Sequence, residues 1–215
     1  MSADLKQKVL AMVAGQAHDP HAVVQKLLAE LEAGTIRAAE PAEDGWTVNA
    51  WVKEGILHAF RIGENVAMGK GEVFHFRDRD TFPTWDPNGP GRNVRIVPGG
   101  TTVRRGAYVG DGVVVMPPAY INVGAYVGAG TMVDSHALVG SCAQVGAGVH
   151  LSAASQVGGV LEPVGALPVI VEDDVFVGGN CGIYEGARIG AGAGLASGVV
   201  VTRAVPLHDL VKETV

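Results

Sequence analysis

The sequence has little cysteine, few aromatic residues and no excess of positive charge. Only two of its 215 residues are cysteines, Cys142 and Cys181, which is too few for a disulfide framework. The net charge of −6 gives no basic field that would attract nucleic acid or an anionic membrane. No apolar run is long enough to span a bilayer, and the N-terminal stretch MSADLKQKVL lacks the apolar core of a signal peptide. We therefore expect a cytoplasmic protein.

An aliphatic residue recurs at every sixth position over half of the chain. One run extends from Val97 to Val157 without a gap, and a second, displaced by two residues, extends from Val171 to Val201. From Val103 onward, the residue two places before each aliphatic is small or β-branched. Residues two apart on a strand face the same side. This period indicates a hexapeptide solenoid in which each short strand stacks on the next coil. Seventeen hexads, at three per coil, predict about six coils. A β-sandwich does not keep one period through so many units.

The period also divides the chain into predicted domains. Residues 1–93 lack it and predict a helical and mixed domain, with two amphipathic helices within 1–34, a short strand and then a third helix. Asp19-Pro20 predicts the start of the second helix and Gly34 its end. Residues 94–205 form the predicted solenoid, with a loop insertion at 158–170, and 206–215 form a C-terminal tail. Glycine follows the aliphatic in seven hexads and suits tight corners.

Several strings are more specific than the period. AYINVGAYV at 119–127, GTMVDSHALVGSCAQVG at 130–146, GGVLEP at 158–163 and WVKEGILHAFRI at 51–62 closely resemble the tetrahydrodipicolinate N-succinyltransferase family. The resemblance covers about residues 20–203. It implies a mainly β fold: a left-handed parallel β-helix with an N-terminal α-helical domain. It also implies a homotrimer with active sites between neighbouring subunits.

The resemblance implies a reaction as well. Succinyl would pass from succinyl-CoA, a cosubstrate, to the amine of ring-opened, hydrated tetrahydrodipicolinate, giving N-succinyl-2-amino-6-oxopimelate on the way to diaminopimelate and lysine. No permanently bound cofactor or metal is expected. Acyl transfer to an amine needs a group that accepts a proton from nitrogen. Asp134 matches the family's substrate-binding acid, for ground-state binding of the amine, base catalysis or both; the alternative is a plain corner residue.

The second catalytic acid is left open by the sequence. Many family members carry SEVVEG where this chain reads CGIYEG at 181–186, so the first family glutamate falls on Gly182 and is absent. Glu185 matches the second glutamate. Either Glu185 or a water takes this role, or Asp134 acts alone, in which case Glu185 is a polar corner residue.

The remaining site residues are matched to substrate or to CoA. Arg95 matches a family arginine, and its planar guanidinium suits a substrate carboxylate; the alternative is a solvated arginine. Three further residues on matching strings are expected to line the cleft: Tyr120, Asn122 and Ser141. Backbone around four residues is expected to bind the pantetheine arm: Gly178, Gly179, Ala196 and Gly198. Two arginines are candidates for the phosphates of CoA: Arg188 and Arg203.

Three other functions remain as alternatives. An acetyl-CoA-dependent N-acetyltransferase would share the fold and the CoA site. The family normally continues further at the C-terminal end, so a second alternative is a shortened, non-catalytic solenoid. A metal-dependent hydratase of the γ-carbonic-anhydrase type needs three converging histidines, and the solenoid supplies only His136 and His150, which we expect to be structural.

Overall fold

The N-terminal part combines three helices with two strand pairs. The fold is taken from a computed structural model, which describes residues 2–70, 74–89 and 91–208. The helices are α1 (Ser2–Val13), α2 (Pro20–Glu32) and α3 (Ala50–Ile62). The antiparallel pairs are β1 (Ala39–Ala42) with β2 (Gly45–Val48), and β3 (Asn65–Lys70) with β4 (Phe74–Arg79). No helix within these ranges is both long and apolar enough to cross a bilayer.

The ends of α2 lie where the sequence predicts them. Asp19 accepts a hydrogen bond from the backbone N–H of Ala22 at 2.9 Å, and Pro20 occupies the first turn, where its missing N–H costs nothing. Gly34 follows the helix with a φ of +69°, a conformation that glycine adopts without strain. The three helices pack around one apolar cluster, which places their buried stripes against each other.

Seventeen two-residue strands build a parallel solenoid with three faces, numbered here in chain order. The first face contains β5 (Arg95–Ile96), β8 (Val114–Val115), β11 (Met132–Val133), β14 (His150–Leu151), β17 (Phe176–Val177) and β20 (Gly194–Leu195). The second contains β6 (Thr102–Val103), β9 (Tyr120–Ile121), β12 (Leu138–Val139), β15 (Gln156–Val157), β18 (Gly182–Ile183) and β21 (Val200–Val201). The third contains β7 (Tyr108–Val109), β10 (Tyr126–Val127), β13 (Gln144–Val145), β16 (Ile170–Val171) and β19 (Arg188–Ile189). The predicted solenoid of about six coils is confirmed; its left-handedness and the domain boundaries stay predictions.

The interior follows the predicted period except in the first hexad. From Val103 onward, each predicted aliphatic is the second residue of a strand and points inward. In the first strand, Ile96 rather than Val97 pairs with Val115 and packs against the core. The cause is the turn that follows, Pro-Gly-Gly-Thr at 98–101, which makes this step one residue longer than a regular hexad.

The corner glycines allow neighbouring coils to pack closely, and this matters more than their freedom to adopt a positive φ. The predicted glycines directly after the aliphatic have no positive φ; a Cβ at Gly128 would lie 2.4 Å from the carbonyl carbon of Gly146 in the next coil. Positive φ occurs instead two places further on, as at Gly130. Five non-glycine residues at that place adopt it too: His136, Cys142, Ala154, Asp174 and Asn180. The period therefore predicts correctly where the corners lie. Glycine is needed there because the coils pack closely, and not because the backbone turns through a positive φ.

The helical domain covers the third face of the solenoid. Arg37 donates to Gln144 Oε1 at 2.8 Å, and its guanidinium lies 3.6 Å from the ring centroid of Tyr126. Trp46 donates to Glu172 at 3.1 Å on the same face. At the lower end of the second face, Arg104 pairs with Asp78 of β4. Higher up, the first and second faces include the exposed side chains of Phe176 and Val200.

The open edge of the first coil is closed by side chains from outside the period. Trp85 is buried in the solenoid core and lies under the guanidinium of Arg92, 4.1 Å from its ring centroid. Glu32, at the end of α2, accepts a hydrogen bond from Gly106 N at 2.9 Å. The chain thus provides its own cap for an edge that would otherwise be free to pair with another chain. At the far end, most of the predicted tail lies outside the described residues.

Candidate active site

Asp134 lies at the corner between the first and second faces, in the third coil. The residue is half-buried, and its Oδ1 accepts a hydrogen bond from Ser135 N at 2.7 Å. This contact fixes the carboxylate at the corner. Among the part of the chain that the structure describes, no other group hydrogen-bonds this carboxylate, so its second oxygen has no protein partner there.

The four residues proposed for pantetheine occupy the same corner in the fifth and sixth coils. A Cβ at Gly178 would lie 2.6 Å from Ser197 N, so the coils approach closely here. Gly198 donates to the carbonyl of Gly179 at 2.9 Å, and the carbonyl of Ala196 accepts from the thiol of Cys181 at 3.0 Å. The structure therefore aligns this group above Asp134 along one edge of the solenoid. Their role in CoA binding stays a prediction.

Arg95 is remote from the upper coils. It is the exposed first residue of the first strand, whereas Glu185 follows a strand of the fifth coil. Coils stack at about 4.8 Å, so four steps place the two residues ~19 Å apart along the axis. Within one chain, Arg95 and Glu185 therefore cannot contact the same small dicarboxylate.

The predicted cleft residues on the second face are spread along it. The hydroxyl of Tyr120 accepts a long hydrogen bond, 3.5 Å, from Arg104. Asn122 uses its side-chain oxygen to accept from Val123 N at 2.8 Å. Ser141 lies at the same corner as Asn122, one coil higher, and its carbonyl accepts from Val160 N at 3.2 Å. Their roles as substrate ligands stay predictions.

Arg188 is already paired. Its guanidinium lies 2.7 Å from Glu172 on the third face, beneath the helical domain. Binding a CoA phosphate would require it to leave this carboxylate, and its proposed role stays a prediction.

The insertion forms a cleft with the corner between the second and third faces. Val157 and Val171 point inward in consecutive strands, so a single corner carries the whole insertion. The cleft has a volume of about 420 Å³ and is lined by residues of the insertion and by Glu185 and Arg203. Glu185 is exposed there with a φ of +55°, a backbone conformation that non-glycine residues rarely adopt and that often marks functional sites. The structure thus brings these two predicted site residues together.

Sequence reasoning missed two other residues of this cleft. Glu162 lies in the insertion and adds a second carboxylate to the lining. Tyr184 adds a phenol directly beside Glu185. The insertion itself was the available signal, because insertions in solenoids map to loops that often bind ligands.

A buried lysine anchors the insertion. Lys53 on α3 is fully buried and donates to the carbonyl of Ala166, which lines the cleft, at 2.6 Å. Its neighbour Cys142 is no counterion, because burial raises the pKa of that thiol to about 12. Burial also lowers the pKa of Lys53 from its usual 10.5, since the charged form loses its water.

We expect this lysine to make stability rise with pH. Between the lowered pKa of Lys53 and 10.5, the unfolded chain binds more protons than the folded chain, so the free energy of unfolding increases with pH in that window. Urea titrations at several pH values should show the difference between wild type and Lys53→Met growing toward pH 10. The exposed Lys8, replaced in the same way, is the matched control. A pH-independent difference for Lys53→Met would contradict the prediction.

The histidines of the solenoid do not assemble a metal site. His150 stacks on Phe176 with ring centroids 5.2 Å apart, and His136 is an exposed corner residue. Within the described ranges, no group of three or more His, Cys, Asp or Glu residues is arranged to hold a metal ion.

Comparisons with known proteins identify the family. Residues 6–62 match the tetrahydrodipicolinate N-succinyltransferase N-terminal family, and residues 168–203 match the hexapeptide repeat of succinyl-transferase. A crystal structure of a GDP-perosamine N-acetyltransferase variant from Caulobacter crescentus, in complex with CoA and GDP-perosamine, is 18% identical over 50% of this chain and 49% of its own. The TM-score of this match is only 0.24.

Two curated relatives extend the match along most of the chain. Both are named 2,3,4,5-tetrahydropyridine-2,6-dicarboxylate N-succinyltransferase. The one from Aromatoleum aromaticum is 45% identical over 188 residues, covering 86% of this chain and 68% of the relative. The one from Paramagnetospirillum magneticum is 43% identical over 190 residues, covering 86% and 67%. The chain belongs to the tetrahydrodipicolinate N-succinyltransferase family.

Proposed function

We propose that this protein transfers a succinyl group from succinyl-CoA to the amine of ring-opened tetrahydrodipicolinate, in the pathway to diaminopimelate and lysine. The amine nitrogen attacks the thioester carbonyl, the C–S bond breaks, and CoA leaves as the thiolate that then takes up a proton. The nitrogen must lose a proton on the way to the amide. A carboxylate beside the amine supplies the acceptor for it.

Asp134 carries this proposal. Its carboxylate is held at the corner by one backbone hydrogen bond and keeps an oxygen available, as a general base or an amine ligand requires. Its string is among those that resemble the family. We assign Glu185 and Arg203, in the cleft beneath the insertion, to the same reaction as polar contacts for substrate or CoA.

The CoA arm is proposed to follow the corner between the first and second faces. Gly179, Ala196 and Gly198 are at least partly accessible along that edge and carry no side chain larger than a methyl group, so none would block a narrow chain. This placement would bring the thioester down toward Asp134. The donor reaches the site from the upper coils. Because Arg95 cannot reach the Glu185 cleft of its own chain, the proposed site combines Arg95, as a guanidinium for one carboxylate of the acceptor, with the cleft of a neighbouring subunit.

We further propose a homotrimer that works in the cytoplasm. The side chains of Phe176 on the first face and Val200 on the second are 53% and 58% exposed, which favours a covering neighbour. Both cysteines are free and buried, in keeping with a reducing compartment. Light scattering on the purified chain measures the trimer directly.

Donor selectivity tests the function. Release of free thiol is measured with succinyl-CoA and, separately, with acetyl-CoA, each with and without tetrahydrodipicolinate. We expect acceptor-dependent release with succinyl-CoA only. Release with acetyl-CoA instead would assign the chain to acetyl transfer. Release with neither donor, together with no rise in melting temperature on adding CoA, would contradict catalysis, because a ligand of the folded state must stabilise it.

A further inference from the structure

The ring of Tyr184 lies flat over two glycines on the outside of the solenoid. A Cβ at Gly182 would lie 2.5 Å from Cε2 of this ring and 2.9 Å from its hydroxyl oxygen. A Cβ at Gly158, one coil below, would lie 2.7 Å from Cδ1. Neither position has room for a side chain while the ring is in place. The two glycines therefore form a seat for the phenol.

This seat replaces an outward side chain of the second face. The other strands of that face place a side chain at the position equivalent to Gly182: Thr102, Tyr120, Leu138, Gln156 and Val200. At Gly182 the strand contributes none, and the phenol of Tyr184 fills the space instead. The side chain of Tyr184 thus extends from the corner back over β18, which places its hydroxyl beside Gly182.

Tyr184 lines a polar cleft, and its hydroxyl, which lies beside Gly182, has no hydrogen-bond partner within the described ranges. Tyr184 is 37% exposed and lines the cleft together with Glu185 and Arg203. No residue in the described ranges hydrogen-bonds its hydroxyl, although a phenol can both donate and accept. A rigidly seated donor of this kind is available to a bound molecule without loss of any contact within the chain.

The polar groups of the cleft match an amino acid. Glu185 and Glu162 offer carboxylates for an amine, whereas Arg203 and the phenol offer donors for a carboxylate. An amino dicarboxylate carries both kinds of group. A plain acyl chain or a nucleotide would leave the carboxylates of the cleft without a partner.

We propose that Tyr184 is a substrate-binding residue whose hydroxyl donates a hydrogen bond to a carboxylate of the amino-dicarboxylate acceptor. This assignment rests on the proposed function for the identity of the acceptor. The geometry of the seat makes Gly182 part of the same device, because any side chain there displaces the ring.

Binding and kinetics of Tyr184→Phe test this assignment. Binding of L-2-aminopimelate, an acyclic amino dicarboxylate, is measured by calorimetry, and KM is measured for each substrate. Hydrogen bonds to charged groups predict a loss of roughly ten- to a hundredfold in acceptor affinity and a matching rise in acceptor KM. The KM for the CoA donor stays unchanged. Tyr126→Phe, on the third face, is the matched control and should alter neither value.

Gly182→Ala provides an independent variant. Its methyl group displaces the ring without removing the hydroxyl, so we expect the same weakened acceptor binding; adding it to Tyr184→Phe should weaken binding little further. Unchanged melting temperatures show that the variants are folded. Equal aminopimelate affinity in wild type and Tyr184→Phe, no binding by wild type, or a changed assembly mass in the variant would each overturn the assignment.

These experiments distinguish failure of the proposed succinyl transfer from failure of the proposed role of Tyr184. If wild type transfers no succinyl but binds aminopimelate in a Tyr184-dependent way, the proposed reaction is wrong and the binding role stands. If transfer occurs and Tyr184→Phe leaves the acceptor KM unchanged, the reaction stands and the role of Tyr184 is wrong.

Discussion

Asp134→Asn should lower kcat for succinyl transfer by about 10²- to 10⁴-fold, the usual contribution of a positioned general base. The amide keeps an oxygen that can accept from Ser135 N, so the corner keeps its hydrogen bond. The amide cannot accept a proton from the attacking nitrogen. Steady-state thiol release with saturating succinyl-CoA and acceptor measures the effect.

Asp111→Asn is the matched control for that variant. Asp111 is an exposed acid at the corner between the third and first faces, so the same change of charge occurs away from the proposed chemistry. We expect this variant to retain full kcat and both variants to keep the wild-type melting temperature. Equal activity of Asp134→Asn and wild type would show that Asp134 is a corner residue without a catalytic role.

Gly128→Ala should destabilise the fold by about 3 kcal/mol, the upper part of the usual range for overpacking. The new methyl group would lie 2.4 Å from the carbonyl carbon of Gly146 and 2.5 Å from Ala147 N, and backbone atoms of a stacked coil cannot rotate away. For a chain of this length the melting temperature should fall by roughly 6–12 °C. Calorimetry measures the shift.

Gly194→Ala separates crowding from the loss of glycine itself. Gly194 is also a solenoid glycine, but no atom lies within 4 Å of its added methyl group and its φ is not in the left-handed region. This variant should keep or slightly raise the melting temperature, because alanine restricts the unfolded chain more than glycine does. Equal destabilisation of both variants would show that coil spacing at Gly128 adapts.

The hexapeptide period predicts the solenoid because it is a local signal repeated many times. Each hexad specifies the same strand and corner, so the number of coils and the inward residues can be read directly. The period could not show that Ile96 replaces Val97, because the longer turn at 98–101 contains only residues that also suit a normal corner. At the boundary of a repeat array, the period no longer predicts which residue points inward.

The candidate site was predictable residue by residue but not as an arrangement. Asp134 and Glu185 match acids of the family, and Arg203 is expected near the phosphates of CoA. The structure places Glu185 and Arg203 in one cleft. Lys53 and Ala166 are 113 residues apart and belong to different units, so no spacing rule joins them. Tyr184 was hidden for another reason: its importance depends on the absence of a side chain at its neighbours.

The covered third face limits how copies of this chain can associate. With that face occupied by the chain's own helices, the free faces in the described ranges are two unlike surfaces, the first and the second. Contact between the first face of one copy and the second face of another is heterologous, so each copy still presents a free face to a further one. Such growth ends only when the rotation per copy closes a ring; otherwise it continues as a filament. The angle at which the first face of one copy meets the second face of the next therefore decides between a closed assembly and a fibre.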